Sequence, residues 1–132
     1  MISNSQVTRQ PVSLAGTTTS PRPAHPAIPD VREAIERMSL RINAVHADRN
    51  SLRRTALGLA AIHRQLTVSL DDSVRRGGWS PENRVAEAAL VAMARKLELE
   101  PPEEGAAGIE RMREHLQHAV FRAVDAATLL DR

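Results

Sequence analysis

At 132 residues without a cysteine, the chain suits a single domain with a modest core and excludes disulfides and thiolate metal sites. Arg9 and Arg22 account for the formal net charge of +2, so residues 30–132 carry equal numbers of basic and acidic side chains. A neutral body whose only aromatic residues are Trp79 and Phe121 lacks the basic excess and the stacking platforms of nucleic-acid-binding proteins.

Residues 1–29 differ in composition from the rest of the chain. They hold five of the eight prolines, many Ser and Thr, and no acidic residue. Such a segment cannot bury enough apolar surface to offset its chain entropy, so we expect a disordered tail. Its composition also resembles the leaders of bacterial type III secreted proteins, which leaves export as an alternative role for the tail.

No segment has the character of a membrane span or a secretory signal. Apolar runs stay well short of the roughly 18 residues that a span needs, and the N-terminus lacks an apolar signal core. The absence of cysteine also fits a reducing compartment. We therefore expect no membrane association and a cytoplasmic location, with type III export as the alternative.

The first helix is predicted over residues 31–76. Asp30, followed three residues later by Glu33, is typical of a capped helix start. Within this range no glycine occurs before Gly58, so one helix can continue to the paired glycines in "RRGGW". A break within residues 48–51 remains an alternative, because "DRNS" is poor in helix formers. The apolar positions advance by four and three residues along a pairing seam and are Val31, Ile35, Met38, Ile42, Val45, Leu52, Ala56, Leu59, Leu66 and Leu70.

Two further helices are predicted over residues 81–99 and 104–131. Ser80 is a suitable N-cap and Pro81 a suitable first residue for the shorter of these helices. Pro101 and Pro102 end it. The last helix keeps the three-four rhythm, and no alternating strand pattern occurs in the sequence. The fold class is therefore all-α, with a long, a short and a long helix.

A first helix of this length predicts a dimer. At 1.5 Å per residue it would be about 68 Å long, more than the two later helices can cover. We expect the exposed part of its seam to pair antiparallel with the first helix of a second copy.

Two polar residues interrupt the apolar seam. Arg49 lies between Val45 and Leu52, and a buried guanidinium needs a bound anion, an escape to solvent or a glutamate from another helix. His63 lies between Leu59 and Leu66, where a hydrogen-bonded core histidine is the simpler interpretation, because no second metal-ligand type lies at helical spacing. No metal site is predicted.

A second arginine suggests what Arg49 could bind. Arg32 lies 17 residues earlier, about 25 Å away along one helix, so the two cannot hold one small molecule from the same chain. An antiparallel partner can bring Arg32 of one chain toward Arg49 of the other. Since arginine forks suit bidentate carboxylate binding, the pair predicts a site for a small dicarboxylate.

The stretch "DVREAIERMSLRI" resembles the opening of the all-helical chorismate mutases and, more closely, of the related isochorismate pyruvate lyases. "SPENRVAEAALVAMARKLELEPPE" is similar to the second helix and following turn of this family, and the long-short-long helix order also agrees. The matching positions in the first stretch and in the ten residues after it are Arg32, Ile35, Glu36, Met38, Ile42, Arg49 and Leu52.

The resemblance implies an intertwined homodimer that binds a dicarboxylate between helices and needs no cofactor. Arg32 would grip one substrate carboxylate in the partner's site, and Arg49 would grip the other in its own subunit. Arg84 would be a third contact. The chemistry implied is pericyclic, in which the site selects a compact conformer and stabilises charge on the breaking ether oxygen.

The chain departs from this family at the catalytic lysine, whose position is Ala60 here. His63 and Arg64, one turn further along, are the nearest substitutes. Gln117 is the only glutamine on the last helix but is out of register with the family's glutamine. Val85 lies where the mutases carry a glutamate, and in this respect the chain resembles the lyases. Mutase chemistry, lyase chemistry and a catalytically silent interaction or regulatory protein all stay open.

Overall fold

The computed structural model describes residues 27–131, which form four α-helices and, within that range, no strand. The helices are α1 (Ile28–Ile42), α2 (Arg49–Gly77), α3 (Pro81–Glu98) and α4 (Gly105–Leu130). The all-helical class is confirmed. The predicted tail lies outside the described residues except at its end, where residues 28 and 29 already belong to α1.

The start of α1 differs from the prediction. Its N-cap is Ala27 rather than Asp30, and Pro29 lies in the first turn, where a missing N–H costs no helical hydrogen bond. Asp30 remains favourable there, because a carboxylate in the first turn interacts with the positive end of the helix dipole.

The single helix predicted over residues 31–76 is instead two helices joined by residues 43–48, which we call the elbow. Asp48 caps α2 with a reciprocal capping box, in which its side chain accepts the Ser51 N–H at 2.8 Å and the Ser51 hydroxyl accepts the Asp48 N–H at 2.9 Å. The Arg113 guanidinium of α4 donates to the carbonyl of Ile42, the last residue of α1, and to the carbonyl of Ala44 in the elbow. Backbone groups at the end of α1 and at the start of α2 therefore have hydrogen-bond partners. These hydrogen bonds stabilise a break between the helices in a segment free of glycine and proline.

Because of the elbow, α1 folds back and packs on α2 and α4. α3 also packs on α2 and α4, and within residues 27–131 it makes no close approach to α1. The α2–α4 pair therefore lies at the centre, with α1 on one side and α3 on the other. Several core side chains are completely buried, namely Ile42, Leu52, Leu59, Leu66 and Met93.

Small residues set the distances between the helices. Four buried alanines on α4 allow close packing, and these are Ala119, Ala123, Ala126 and Ala127. Gly58 of α2 likewise allows α1 to pack closely, since a Cβ at this position would lie 2.6 Å from the Met38 sulfur.

The α3 helix begins as its sequence suggests, with the Ser80 hydroxyl accepting the Asn83 N–H at 3.1 Å and Pro81 as its first residue. It ends before the two prolines, and α4 starts at Gly105, one residue after the predicted start. None of the described helices combines the length and apolar character of a membrane span.

The elbow also removes the reason for expecting a dimer. The apolar seam residues of α1 are buried within one chain against α2 and α4, and the 68 Å helix with an uncovered seam does not form.

Candidate functional site

Arg49 is the first residue of α2, and its guanidinium holds the connection between α3 and α4. It donates to the Glu100 carboxylate at 2.7 Å, to the Pro101 carbonyl at 3.4 Å and to the Glu103 carbonyl. Its side chain is only 24% exposed. The sequence left three alternatives for Arg49, which were a bound anion, an escape to solvent or a glutamate from another helix. The observed arrangement corresponds to the third, with the glutamate supplied by the connection between α3 and α4.

Two neighbours complete this contact, which we call the Arg49 latch. Arg53 donates to the same Glu100 oxygen at 3.1 Å. Gly108 of α4 lies directly over the guanidinium, and a Cβ there would overlap both Arg49 and the Glu103 carbonyl. Hydrogen bonds from Arg53 and Arg49 lower the pKa of the Glu100 carboxyl, since both favour its ionised form.

Arg32 lies at the other end of α4. Its guanidinium is 3.4 Å from the Thr128 hydroxyl and 3.6 Å from the Asp131 carboxylate. Since Arg49 lies over Gly108, the two arginines are separated by about 20 residues of α4, or about 30 Å. Within one chain they cannot hold the same small molecule.

The other residues predicted to bind substrate serve separate contacts. The Arg84 guanidinium lies over the Trp79 ring, 6.0 Å from its centroid. These residues flank the Ser80 cap at the positions where a hydrophobic staple forms, so Trp79 packs over the first turn of α3. The Gln117 amide donates to the Asn43 side chain at 2.8 Å and ties α4 to the elbow.

His63 is hydrogen-bonded to the backbone of α3. Its Nε2 lies 3.0 Å from the Leu90 carbonyl, and because a carbonyl can only accept, Nε2 carries the proton. Arg64 is exposed and forms no ion pair with the described residues. In residues 27–131 no group of three or more His, Asp or Glu side chains is placed to hold a metal ion. The six predicted site residues are therefore distributed over several contacts and do not form one cavity.

The sequence did not predict a groove between α2 and α3, which we call the α2–α3 groove. It has a volume of about 520 Å³. Trp79 and Val91 line it with close to half of each residue exposed, and the buried Leu70 and Leu90 contribute its floor. The signal in the sequence was the lone tryptophan between two predicted helices, whose apolar ring needs a surface to pack on.

The charges around this groove are unbalanced. Its lining includes the carboxylates of Asp71, Glu87 and Glu98 but only one guanidinium, that of Arg95. Within the described part of the chain, none of these four side chains is in an ion pair. The groove is therefore apolar at its centre and acidic at its edges.

Comparisons with protein-family models, with curated proteins and with solved structures found no match for this chain.

Proposed function

We propose that this protein is a catalytically silent helical interaction module that binds a basic amphipathic helix of a partner protein in the α2–α3 groove. The observation that carries the proposal is the half-exposed Trp79 beside Val91, over an apolar floor. Tryptophan is among the residues that contribute most to protein interfaces, because it combines a large apolar area with a polar N–H.

The dimensions of the groove suit one helix. On α3 its lining residues run from Glu87 to Glu98, which is about 16 Å, or three helical turns. A helix of that length presents apolar residues at positions i, i+3, i+4 and i+7 to such a groove. The lysines or arginines on its flanks would meet Asp71, Glu87 and Glu98, which supports a basic rather than an acidic partner.

The arrangement of the arginines supports a non-enzymatic function. The Arg49 guanidinium is already hydrogen-bonded to Glu100 and two backbone carbonyls, and Ala60 offers no donor to a breaking ether bond. We therefore expect purified protein to consume chorismate and isochorismate no faster than buffer does, as followed by ultraviolet absorbance and product chromatography. Turnover that falls on substitution of Arg32 or Arg49 would contradict the proposal and favour the mutase or lyase hypothesis.

Trp79 is the only tryptophan, so its fluorescence reports directly on the groove. The probe is a synthetic three-turn helix with leucines on one face and lysines on the other, compared with the same peptide carrying glutamates for lysines. We expect a saturable change in Trp79 emission with the lysine peptide and at least tenfold weaker binding of the glutamate peptide.

Two valines of α3 provide matched variants. Val91 lines the α2–α3 groove, whereas Val85, which is similarly exposed, lines a different groove between α3 and α4. Val91→Glu should weaken binding of the lysine peptide about tenfold or more, because it places a charge on the apolar surface. Val85→Glu should leave binding unchanged. Equal binding of both peptides, or equal effects of both substitutions, would contradict the proposed docking site.

A further inference from the structure

A second cavity lies on the opposite side of α2, where the elbow joins α1 to α2. It has a volume of about 310 Å³, which is within the range of small-molecule sites. Its charged and titratable lining consists of Arg41 from α1, His46 from the elbow and Arg54 from α2. Ala44 and Ala47 supply apolar surface between them.

Neither arginine of this cavity has a carboxylate within ion-pair distance among the described residues, although Arg54 interacts electrostatically with Asp48. Neither the Arg41 nor the Arg54 guanidinium forms an ion pair or a hydrogen bond with a described residue. The Arg49 guanidinium, by contrast, has three acceptors. Two unmatched guanidiniums beside one concave surface produce a positive local potential.

The surrounding sequence adds to this potential. From Arg37 through Leu70 the chain has six arginines, Arg37 included, and only one acidic residue, Asp48. The Asp48 carboxylate is engaged in the capping box, where its hydrogen bond from the Ser51 N–H lowers its pKa, with a smaller contribution from Arg54. One carboxylate already bound to the backbone cannot neutralise both arginines.

Polar groups other than the charged side chains are already occupied. The Ser51 hydroxyl is hydrogen-bonded to the Asp48 backbone, and the Thr55 hydroxyl donates to the Ser51 carbonyl at 3.0 Å. The donors left for a bound molecule are the guanidiniums of Arg41 and Arg54 and the imidazole of His46. Guanidinium forks suit oxyanions, and a pair of them favours a dianion over a monoanion.

We propose that the elbow cavity is a binding site for a compact phosphate monoester, whose phosphate lies between Arg41 and Arg54 and whose organic group contacts Ala44 and Ala47. The site is on the α1–α2 side of the molecule and shares no residue with the α2–α3 groove. Its existence does not depend on the proposed partner.

The test uses phenyl phosphate, inorganic phosphate and succinate at constant ionic strength, with binding followed by the amide resonances of residues 44–55. We expect saturable shifts with phenyl phosphate and at least fivefold weaker binding of succinate, a dicarboxylate of similar charge. Inorganic phosphate should shift the same amides with weaker affinity, since it lacks the apolar group.

Arg41→Gln and Arg54→Gln should each weaken phenyl phosphate binding about tenfold, because each removes a charge-assisted contact. Arg64→Gln is the matched control, since it removes an exposed α2 arginine outside the cavity and should change affinity less than twofold. If a glutamine variant fails to fold, Arg41→Lys and Arg54→Lys keep the charge but lose the fork and should still weaken binding. Shifts that do not saturate, succinate binding as tight as phenyl phosphate, or an equal effect of Arg64→Gln would each overturn the proposal.

Discussion

At the residue scale, Arg49 is positioned by both local and distant parts of the chain. Its place in the apolar series turns its side chain toward the protein, and its acceptors lie 51 to 54 residues later in the connection between α3 and α4. Two of these acceptors are backbone carbonyls, which no residue type in the sequence identifies. The sequence therefore indicated that Arg49 needed a partner but could not determine which one.

Replacing Arg49 by alanine should destabilise the fold. Arg49→Ala leaves the Pro101 and Glu103 carbonyls without this donor and should lower the free energy of unfolding by about 2 kcal/mol. Arg53→Ala is the control, because the half-exposed Arg53 shares Glu100 but binds neither carbonyl, and its cost should stay below about 1 kcal/mol. Urea denaturation measures both values, and equal losses would contradict the importance of the carbonyl contacts.

The Arg49 latch also predicts a dependence on pH. The folded-state pKa of Glu100 lies below the ordinary value of 4.5, so its ionised form stabilises the folded state. This stabilisation is complete when the pH is above the ordinary pKa of 4.5. It is lost as the pH falls from 4.5 through the folded-state pKa. Glu100→Gln should therefore reduce the difference in melting temperature between pH 7 and pH 3, as measured by circular dichroism. The same pH dependence in both proteins would exclude Glu100 as a source.

At the element scale, the two connections on either side of α2 differ in how readily they can be predicted. Gly77, Gly78, Ser80 and Pro81 mark the turn into α3 with residues that favour a helix end and a helix start. Before Asp48 the elbow has only a weaker marker, Asn43, which is the C-cap of α1. The contacts of the elbow with α4 come from Arg113 and Gln117, which are 71 residues from Ile42 and 74 residues from Asn43, so the end of α1 depends on a distant part of the chain.

Arg113→Gln tests this contact. The Arg113 side chain is only 17% exposed, and its loss would leave the Ile42 and Ala44 carbonyls without their charged donor. We expect the free energy of unfolding to fall by about 2 kcal/mol. Arg111→Gln removes a half-exposed arginine from the same helix and should cost less than about 0.5 kcal/mol. Similar losses in urea denaturation would mean that Arg113 does not stabilise the elbow.

At the scale of the whole molecule, the folded-back α1 and the dimer expected from sequence are related by one change at the elbow. If residues 43–48 became helical, α1 and α2 would form one long helix, and α1 would have to pack on the α2 and α4 of a second copy. This is a domain swap, in which each α1 keeps its contacts but makes them with another chain. Such a swap would also leave Arg32 far from Arg49, because each would keep its neighbours on α4.

Two substitutions should shift the equilibrium from the folded-back monomer toward the domain-swapped dimer. Asn43→Ala with Asp48→Ala removes the first and last residues of the elbow, which cap α1 and α2, and puts strong helix formers in their place. We expect the unaltered chain to be a monomer and the double variant to form a substantial dimer fraction by size-exclusion chromatography with light scattering. Ser80→Ala removes a comparable cap before α3 but should stay monomeric, because Gly77 and Gly78 still end α2. A double variant that stays wholly monomeric would contradict the swap.

The sequence by itself determined the helical class, the cap of α3 and most of the buried faces, because hydrophobic spacing and capping act within a few residues. Val45 is the exception: it belongs to the predicted seam but lies in the elbow, where it is 89% exposed. Only the tertiary structure decided where the first helix breaks, how Arg49 is satisfied, and that Arg32 lies at the opposite end of α4. Each of these depends on groups more than 50 residues apart that meet only when the helices pack. The α2–α3 groove and the elbow cavity likewise exist only between packed helices, since no single helix has a concave surface.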